Sequence, residues 1–193
     1  MKSYKLLGIG GSVRRDSYSV AVLRAIGESV PDGVSFEIFP LDDVPIYNQD
    51  LDTAIPPPAV VALRAAIDDA DGVVISSPEY NHSISGVLKN ALDWASRPYG
   101  AATLTGKPVL TLTSSPAFTG GVRAQAHLNE VLTAIAARLV LRPQIVIASV
   151  HEKIRHGRLV DDATVAFLKS GVLDLLRDSE VLRTTGPFKE SRS

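Results

Sequence analysis

The chain has 193 residues, of which 45% are hydrophobic and 21% are charged, a composition typical of one globular domain and not of a disordered chain. Its net charge of -1 lacks the basic excess that nucleic acid or an anionic membrane attracts, so neither partner is expected. The absence of cysteine excludes disulfides, thiolate nucleophiles and cysteine-ligated zinc, and it fits a reducing compartment.

The N-terminal sequence MKSYKLLGIGGS has two lysines but few apolar residues before its glycines, which is too short for the hydrophobic part of a secretion signal. No stretch approaches the roughly 18 apolar residues that cross a bilayer. We therefore expect a soluble cytoplasmic protein without a membrane partner.

Short apolar runs alternate with helical patterns along the chain. The runs predict strands at 4–10, 34–39, 72–76, 108–113 and 144–149, and the helical patterns lie at 19–29, 58–70, 87–95, 121–137 and about 161–182. Strands that are apolar on both faces and separated by helices predict a doubly wound five-stranded parallel sheet in a three-layer α/β sandwich. We expect a single domain over 1–183 and a polar C-terminal tail over 184–193.

The loop after the first predicted strand, GIGGSVRRDSYS, has the groups that bind a phosphate. Ligands of such sheets bind beyond the carboxyl ends of the strands, and this loop offers hydroxyls, Arg14 and the free amides of a helix start. Val13 stands where the dinucleotide fingerprint G-x-G-x-x-G has its third glycine, so a terminal monophosphate fits better than a pyrophosphate. The alternative is that the serines of this loop serve only as turn and N-cap residues.

The loop after the third predicted strand is crowded with hydrogen-bonding groups, in the stretch SPEYNHSISGVLKNALDW. So many donors and acceptors beside a phosphate loop suggest a flat ligand with a polar edge. The isoalloxazine of a flavin has an apolar face and a pyrimidine edge that backbone groups around Pro78–Asn81 could match, and the proline keeps the loop stiff.

Several motifs together resemble one family. SPEYNHSISGVLKNALDWASRP resembles the signature P-E-Y-N-x-S-x-P-G-x-L-K-N-A-x-D-W of the NAD(P)H-dependent FMN reductase family, a flavodoxin-like group that includes chromate and quinone reductases. GSVRRDSYS is similar to that family's phosphate loop G-S-x-R-x-x-S-x-[NS], and LDDVPIYNQD and GGVRAQAHL resemble further family segments in the right order. The resemblance covers roughly residues 4–150 and implies a flavodoxin-like fold.

The resemblance also implies a role for each matching position. The FMN phosphate would be held by Ser12, Arg14, Ser17 and Ser19 with a backbone contact from Tyr18, and the isoalloxazine would lie along Pro78, Glu79, Tyr80 and Asn81, closed on its other side by Ser114, Ser115 and the residues up to Ala117. The implied activity passes a hydride from NAD(P)H through FMN to an oxidised acceptor by a ping-pong mechanism. The acceptor would be a quinone, an azo compound, a metal oxyanion such as chromate, or free flavin, and the assembly would be a homodimer or homotetramer.

Two departures from the family pattern carry expectations. Ser85 stands where the family most often has proline, which predicts a looser start of the third helix. SSPAFTGG lacks the glycine that commonly follows the fourth strand, which leaves the shape of the nicotinamide-facing rim open.

Several chemically active side chains have simpler interpretations. Because flavin N5 carries the hydride, no protein acid is obligatory and Glu79 is expected to be structural. Trp94 is expected in the core of the third helix, and Asp93 with Arg97 is interpreted as a surface ion pair. The sequence HEKIRH does not favour zinc, since a five-residue step turns a helix by roughly 140° instead of the roughly 40° that aligns two imidazoles. His82, in the polar loop, is read as an exposed residue.

Two rival functions stay open at this point. A flavodoxin-type electron carrier would bind FMN without turning over nicotinamide, but such carriers are strongly acidic and shield the flavin with aromatic rings. A nucleotide-binding Rossmann module would need the missing third glycine.

The segment LDDVPIYNQDLDTAIPPP is long for a connection from a strand to a helix. It has apolar residues at Ile46, Tyr47 and Leu51, and three prolines stiffen its end. An apolar loop tip is costly in water, so a neighbouring subunit is expected to cover it. The alternative is a self-packed Ω-loop on a monomer.

Overall fold

Parallel strands form the centre of the protein, whose computed structural model describes residues 3–185. The strands are β1 Tyr4–Gly10, β2 Val34–Phe39, β3 Gly72–Pro78, β4 Pro108–Ser114, β5 Arg138–Leu139 and β6 Ile145–Ile147. Their order is β2-β1-β3-β4-β5, with β6 also paired to β4, and all the pairings are parallel. This is the flavodoxin-like order, and it confirms the predicted fold class.

The fifth position of the sheet differs from the prediction of one strand over 144–149. Two short strands fill it: β5 pairs with the start of β4 through Pro108 and Arg138, and β6 pairs with its end through Leu112 and Ile145. Pro143 lies between them and has no N–H to give to a ladder. The predicted strand also ends early, because Ser149 has a left-handed φ of 48° and precedes a helix.

Helices cover both faces of the sheet. They are α1 Tyr18–Gly27, α2 Pro58–Asp69, α3 Gly86–Ala95, α4 Val122–Ala134, α5 Val150–Lys153 and α6 Asp162–Thr185. The sequence did not predict α5 or the hairpin of β7 Ile154–Arg155 and β8 Arg158–Leu159. Helix α6 continues two residues past the predicted domain end at 183, and the rest of the predicted tail lies outside the described residues.

Alternate residues of the central strands face two separate cores. Val73 and Ile75 of β3 pack with buried residues of α2, α3 and α4, whereas Val74 between them packs with α1 and α6. All three side chains are fully buried. Burial on both faces accounts for the continuous apolar runs that predicted the strands. Among residues 3–185, no helix combines the length and hydrophobicity of a membrane span.

The sheet register brings three loops to one edge. Gly10 at the end of β1 pairs with Ser76, and Pro78 at the end of β3 pairs with Ser114 at the end of β4. Strand order reverses between β1 and β3, which is where ligands of such sheets bind. The loops after β1, β3 and β4 therefore surround one place.

Candidate functional site: a cavity at the carboxyl ends of three strands

The loop after β1 is tied to β3 by one backbone hydrogen bond and is shaped by its own serines. Gly11 N donates to Ser76 O at 2.8 Å, and Arg14 N donates to Ser12 Oγ at 3.3 Å. Ser17 is the N-cap of α1, and its Oγ accepts from Val20 N at 3.3 Å. The interpretation of the loop serines as capping residues is therefore correct for Ser17.

Two other serines of the site have hydroxyls without a partner. Ser19 Oγ and Ser114 Oγ are buried, and neither has a hydrogen bond to any residue in the described part of the chain. A buried polar group left unpaired costs about 1 to 3 kcal/mol, so each such atom in a folded protein needs an explanation. A ligand with acceptor oxygens would supply the missing partners.

A tight turn stiffens the loop after β3. Tyr80 and Ser83 exchange both backbone hydrogen bonds at 3.0 Å, and the two residues between them, Asn81 and His82, have φ of 49° and 67°. Two positive φ values in a two-residue connection are typical of a type I′ turn, and asparagine tolerates that conformation well. The turn holds Pro78 and Tyr80 in place beside the phosphate loop.

Glu79 has the structural role that was predicted for it. Its Oε2 accepts from Arg123 N at 3.1 Å and from Ala124 N at 3.0 Å. These amides lie at the start of α4, where the N-cap residue is Gly121, with φ of 90° and no side chain. Glu79 thus supplies the cap that glycine lacks and joins the loop after β3 to α4. His82 is exposed, with its Nδ1 3.2 Å from Arg123 Nη1.

Ser85 does not loosen the start of α3, so that expectation is wrong. Ser85 is buried and is the N-cap of α3, with its Oγ accepting from Leu88 N at 3.3 Å. The same hydroxyl donates to Gly11 O at 2.6 Å. One side chain therefore starts the helix and ties it to the phosphate loop, which proline could not do because it has no hydroxyl.

These loops enclose a cavity of about 340 Å³. It is lined by Ser12, Arg14, Ser17, Tyr18, Ser19, Pro78, Glu79, Tyr80, Ser114, Ser115 and Pro116. The structure thus brings together all the predicted site residues except Ala117 and Asn81, and Asn81 lies exposed at the tip of the turn. The Arg14 guanidinium carbon lies 4.9 Å from the ring centroid of Tyr18, and no described carboxylate pairs with it.

Asn90 and Trp94 hold the long loop before α2, a role that sequence reasoning missed. Asn90 Oδ1 accepts from Tyr47 N at 2.7 Å, and Pro45 O accepts from both Asn90 Nδ2 and Trp94 Nε1 at 2.8 Å. The Tyr47 ring packs edge-on against Trp94, with centroids 4.9 Å apart. Tyr47 is therefore part of the fixed stem of this loop and not of its exposed tip. The signal in the sequence was the spacing of Asn90 and Trp94, because residues four apart lie on the same face of a helix.

One further prediction concerned a pair of charged residues on α3 and just after it. Asp93 pairs with Lys89 at 2.7 Å and not with Arg97, so the predicted ion pair is wrong. Arg97 instead lies over the Tyr47 ring, 5.8 Å from its centroid.

The histidine-containing sequence HEKIRH does not form one helix, because His151 lies in α5 and His156 follows β7 with φ of 50°. Within 3–185, no three His, Asp or Glu side chains are placed to share a metal.

Comparison with known proteins identifies the family. The sequence profile described as NADPH-dependent FMN reductase matches residues 4–152. The chain belongs to this family. It is 41% identical over 159 residues to an NAD(P)H-dependent FMN reductase of Pseudomonas aeruginosa, a match that covers 82% of this chain and 85% of the relative. A 2-hydroxy-1,4-benzoquinone reductase of a Burkholderia species is 37% identical over 167 residues, covering 86% of this chain and 91% of the relative.

A solved structure agrees with the fold. FerB, a flavoenzyme NAD(P)H:(acceptor) oxidoreductase of Paracoccus denitrificans, superposes with a TM-score of 0.82 at 31% identity. The superposition covers 92% of this chain and 98% of FerB. As a member of the FMN reductase family, the protein is an oxidoreductase that uses FMN, with NAD(P)H as its co-substrate.

The cavity fits FMN on its own chemistry. A phosphate dianion needs hydroxyl and amide donors and a cation, and the loop after β1 offers Ser12, Arg14 and the start of α1. The unpartnered hydroxyls of Ser19 and Ser114 are donors that a bound cofactor would engage. The remaining walls come from the loops after β3 and β4, and the volume of about 340 Å³ lies within the range of small-molecule sites.

Proposed function

We propose that Ser12, Arg14, Ser17, Tyr18 and Ser19 hold the phosphate of FMN, while Pro78, Glu79, Tyr80, Asn81, Ser114 and Ser115 border its ring system. The observation that carries this assignment is the cavity in which all of them except Asn81 meet, with two buried hydroxyls on its wall that lack a partner. Asn81 would act through the turn that it forms. Arg14 balances the phosphate charge, because no described carboxylate competes for it.

The reaction is a two-electron transfer from NAD(P)H to a small oxidised acceptor of the quinone type. FMN, when bound, supplies the group that accepts and donates the hydride. The relatives described as quinone reductases support this acceptor class, and azo compounds, chromate and free flavin are further candidates. The protein positions the cofactor. We assign no side chain to proton transfer, because the Glu79 carboxylate already caps α4.

Initial-rate kinetics test whether donor and acceptor use one cavity in turn. Nicotinamide and acceptor both react at the bound flavin, so in the proposed mechanism NAD(P)H leaves the cavity before the acceptor binds. Plots of reciprocal rate against reciprocal NAD(P)H concentration, at several fixed quinone concentrations, should be parallel, as exchange of this ping-pong kind requires. Intersecting lines would mean that both substrates bind together, and the shared cavity would be the wrong model.

The loop before α2 supports assembly into a homodimer or homotetramer. Ile46 and Ile55 in this loop are 81% and 89% exposed. The residues on either side of Ile46 are nevertheless fixed, because Tyr47 N and Pro45 O are hydrogen-bonded to Asn90 and Trp94 of α3. Exposed apolar side chains on a fixed loop are typical of an interface with a second copy.

We assign the protein to the cytoplasm, because a reducing compartment suits a chain without cysteine.

We expect the protein to be at least a dimer at micromolar concentration and Ile46→Asp to weaken the association. The new carboxylate would have to lose its hydration in the interface, while the isolated fold should tolerate it because Ile46 makes little contact within the chain. Leu141→Asp is the control, since Leu141 is 99% exposed on the connection between β5 and β6. Light scattering that gave a monomer for the wild type, or equal effects of the two variants, would contradict the interface.

A further inference from the structure

A second cavity lies beside the phosphate loop, on the side of β2. It has a volume of about 440 Å³, within the range of small-molecule sites. It is lined by Gly10, Ser12, Val13, Arg14, Arg15, Val20, Arg24, Ile38, Phe39, Pro40, Leu41 and Asp42. We call it the arginine cavity. It shares Ser12 and Arg14 with the cofactor cavity, so the two are neighbours separated by the phosphate loop.

The arginine cavity has an excess of positive charge that nothing in the described chain neutralises. Three guanidinium groups line it against the single carboxylate of Asp42. Within residues 3–185, the side chains of Arg15, Arg24 and Arg155 are the guanidinium groups without a hydrogen bond, ion pair or ring contact. Two of these three line the same cavity, in a chain whose net charge is -1.

The walls and charges together define the ligand chemistry. Val13, Val20, Phe39 and Leu41 give the cavity apolar walls, and the arginines give it planar forks that match phosphate oxygens. A flat apolar body that carries a phosphate dianion satisfies both features. FMN does not explain them, because its phosphate belongs with the hydroxyls on the other side of the loop.

We propose that the arginine cavity binds the adenosine end of NADPH, with Arg15 and Arg24 on its 2′-phosphate. This inference rests on the proposed function, in which the nicotinamide end of the same molecule reacts in the cofactor cavity. A dinucleotide needs a second place for its adenosine, and the neighbouring cavity that shares Ser12 and Arg14 provides one. Because the 2′-phosphate is the single chemical difference between NADPH and NADH, these arginines select NADPH.

Calorimetric titration of the FMN-loaded protein with NADP⁺ and NAD⁺ tests the proposal without turnover. The wild type should bind NADP⁺ more tightly than NAD⁺. Each of Arg15→Ala and Arg24→Ala should raise the NADP⁺ dissociation constant by about tenfold or more, the scale of a charge-assisted hydrogen bond. The dissociation constant of NAD⁺ should change little, and 2′,5′-ADP should compete with NADP⁺ for the protein.

Arg155→Ala is the matched control, since its guanidinium is equally unpaired but lies in β7, outside the arginine cavity. It should leave both affinities unchanged. Equal losses for NADP⁺ and NAD⁺, unchanged NADP⁺ binding in the Arg15 and Arg24 variants, or 2′,5′-ADP that binds without displacing NADP⁺ would each overturn the assignment. FMN retention by the same variants separates this failure from failure of the proposed function, because both variants should keep FMN as the wild type does.

Discussion

Ser19→Ala is expected to weaken FMN binding by about ten- to a hundredfold, which corresponds to about 1.5 to 3 kcal/mol for a hydrogen bond to a charged group. The same change should not lower the free energy of unfolding of the FMN-free protein. Ser19 Oγ is buried without a partner in the described chain, so its removal takes away an unpaired polar group. Fluorescence titration with FMN and urea unfolding measure the two quantities.

Ser17→Ala is the control on the same loop. Ser17 Oγ caps α1 by accepting from Val20 N, and loss of an N-cap lowers the free energy of unfolding by about 1 kcal/mol. The two serines should therefore differ in the FMN-free protein, with a stability loss for Ser17→Ala alone. If Ser19→Ala destabilised the protein as much as Ser17→Ala and left FMN affinity unchanged, Ser19 would be a structural residue and the phosphate assignment would be wrong.

Asn90→Ala is expected to lower the free energy of unfolding by about 1 to 3 kcal/mol, since it leaves the part-buried amide of Tyr47 without its partner. Asn90 is buried, accepts from Tyr47 N and donates to Pro45 O. Trp94 Nε1 also donates to Pro45 O, which preserves part of the attachment. Urea unfolding followed by circular dichroism gives the difference.

Lys89→Ala, one position earlier on α3, is the control for the Asn90 change. Its exposed pair with Asp93 is of the kind that contributes about 1 kcal/mol or less. A loss for Asn90→Ala no larger than that of Lys89→Ala would show that the amide does not hold the loop.

The parallel sheet and the meeting of its loops were predictable from local patterns. Apolar runs such as 72–76 are continuous because their residues are buried on both faces, as Val73 and Val74 are in opposite cores. Once the strands are parallel, their carboxyl ends lie at one edge, so Ser12, Pro78 and Ser114 had to converge. The phosphate loop then follows from its hydroxyls at a helix start.

Contacts between distant segments were not predictable in the same way. Glu79 caps a helix that begins more than forty positions later, and Ser85 bonds to Gly11 across the site. Neither contact produces a hydrophobic periodicity or a motif spacing from which it could be predicted. Pro143 divides the fifth strand position, and the run 144–149 after it was predicted as the whole strand because the two residues of β5 are too few to form a pattern. The arginine cavity is of the same kind, because its charges come from the phosphate loop, from α1 and from the segment after β2.

The most direct test of the account is an anaerobic spectrum of the purified protein after loading with FMN and removal of the excess. Because the cavity has donors and a cation for the phosphate, the protein should stay yellow through dialysis. NADPH should then bleach the visible flavin band, and a quinone should restore it. A protein that loses FMN on dialysis, or keeps FMN that NADPH and NADH leave oxidised, would contradict an FMN-dependent NAD(P)H oxidoreductase.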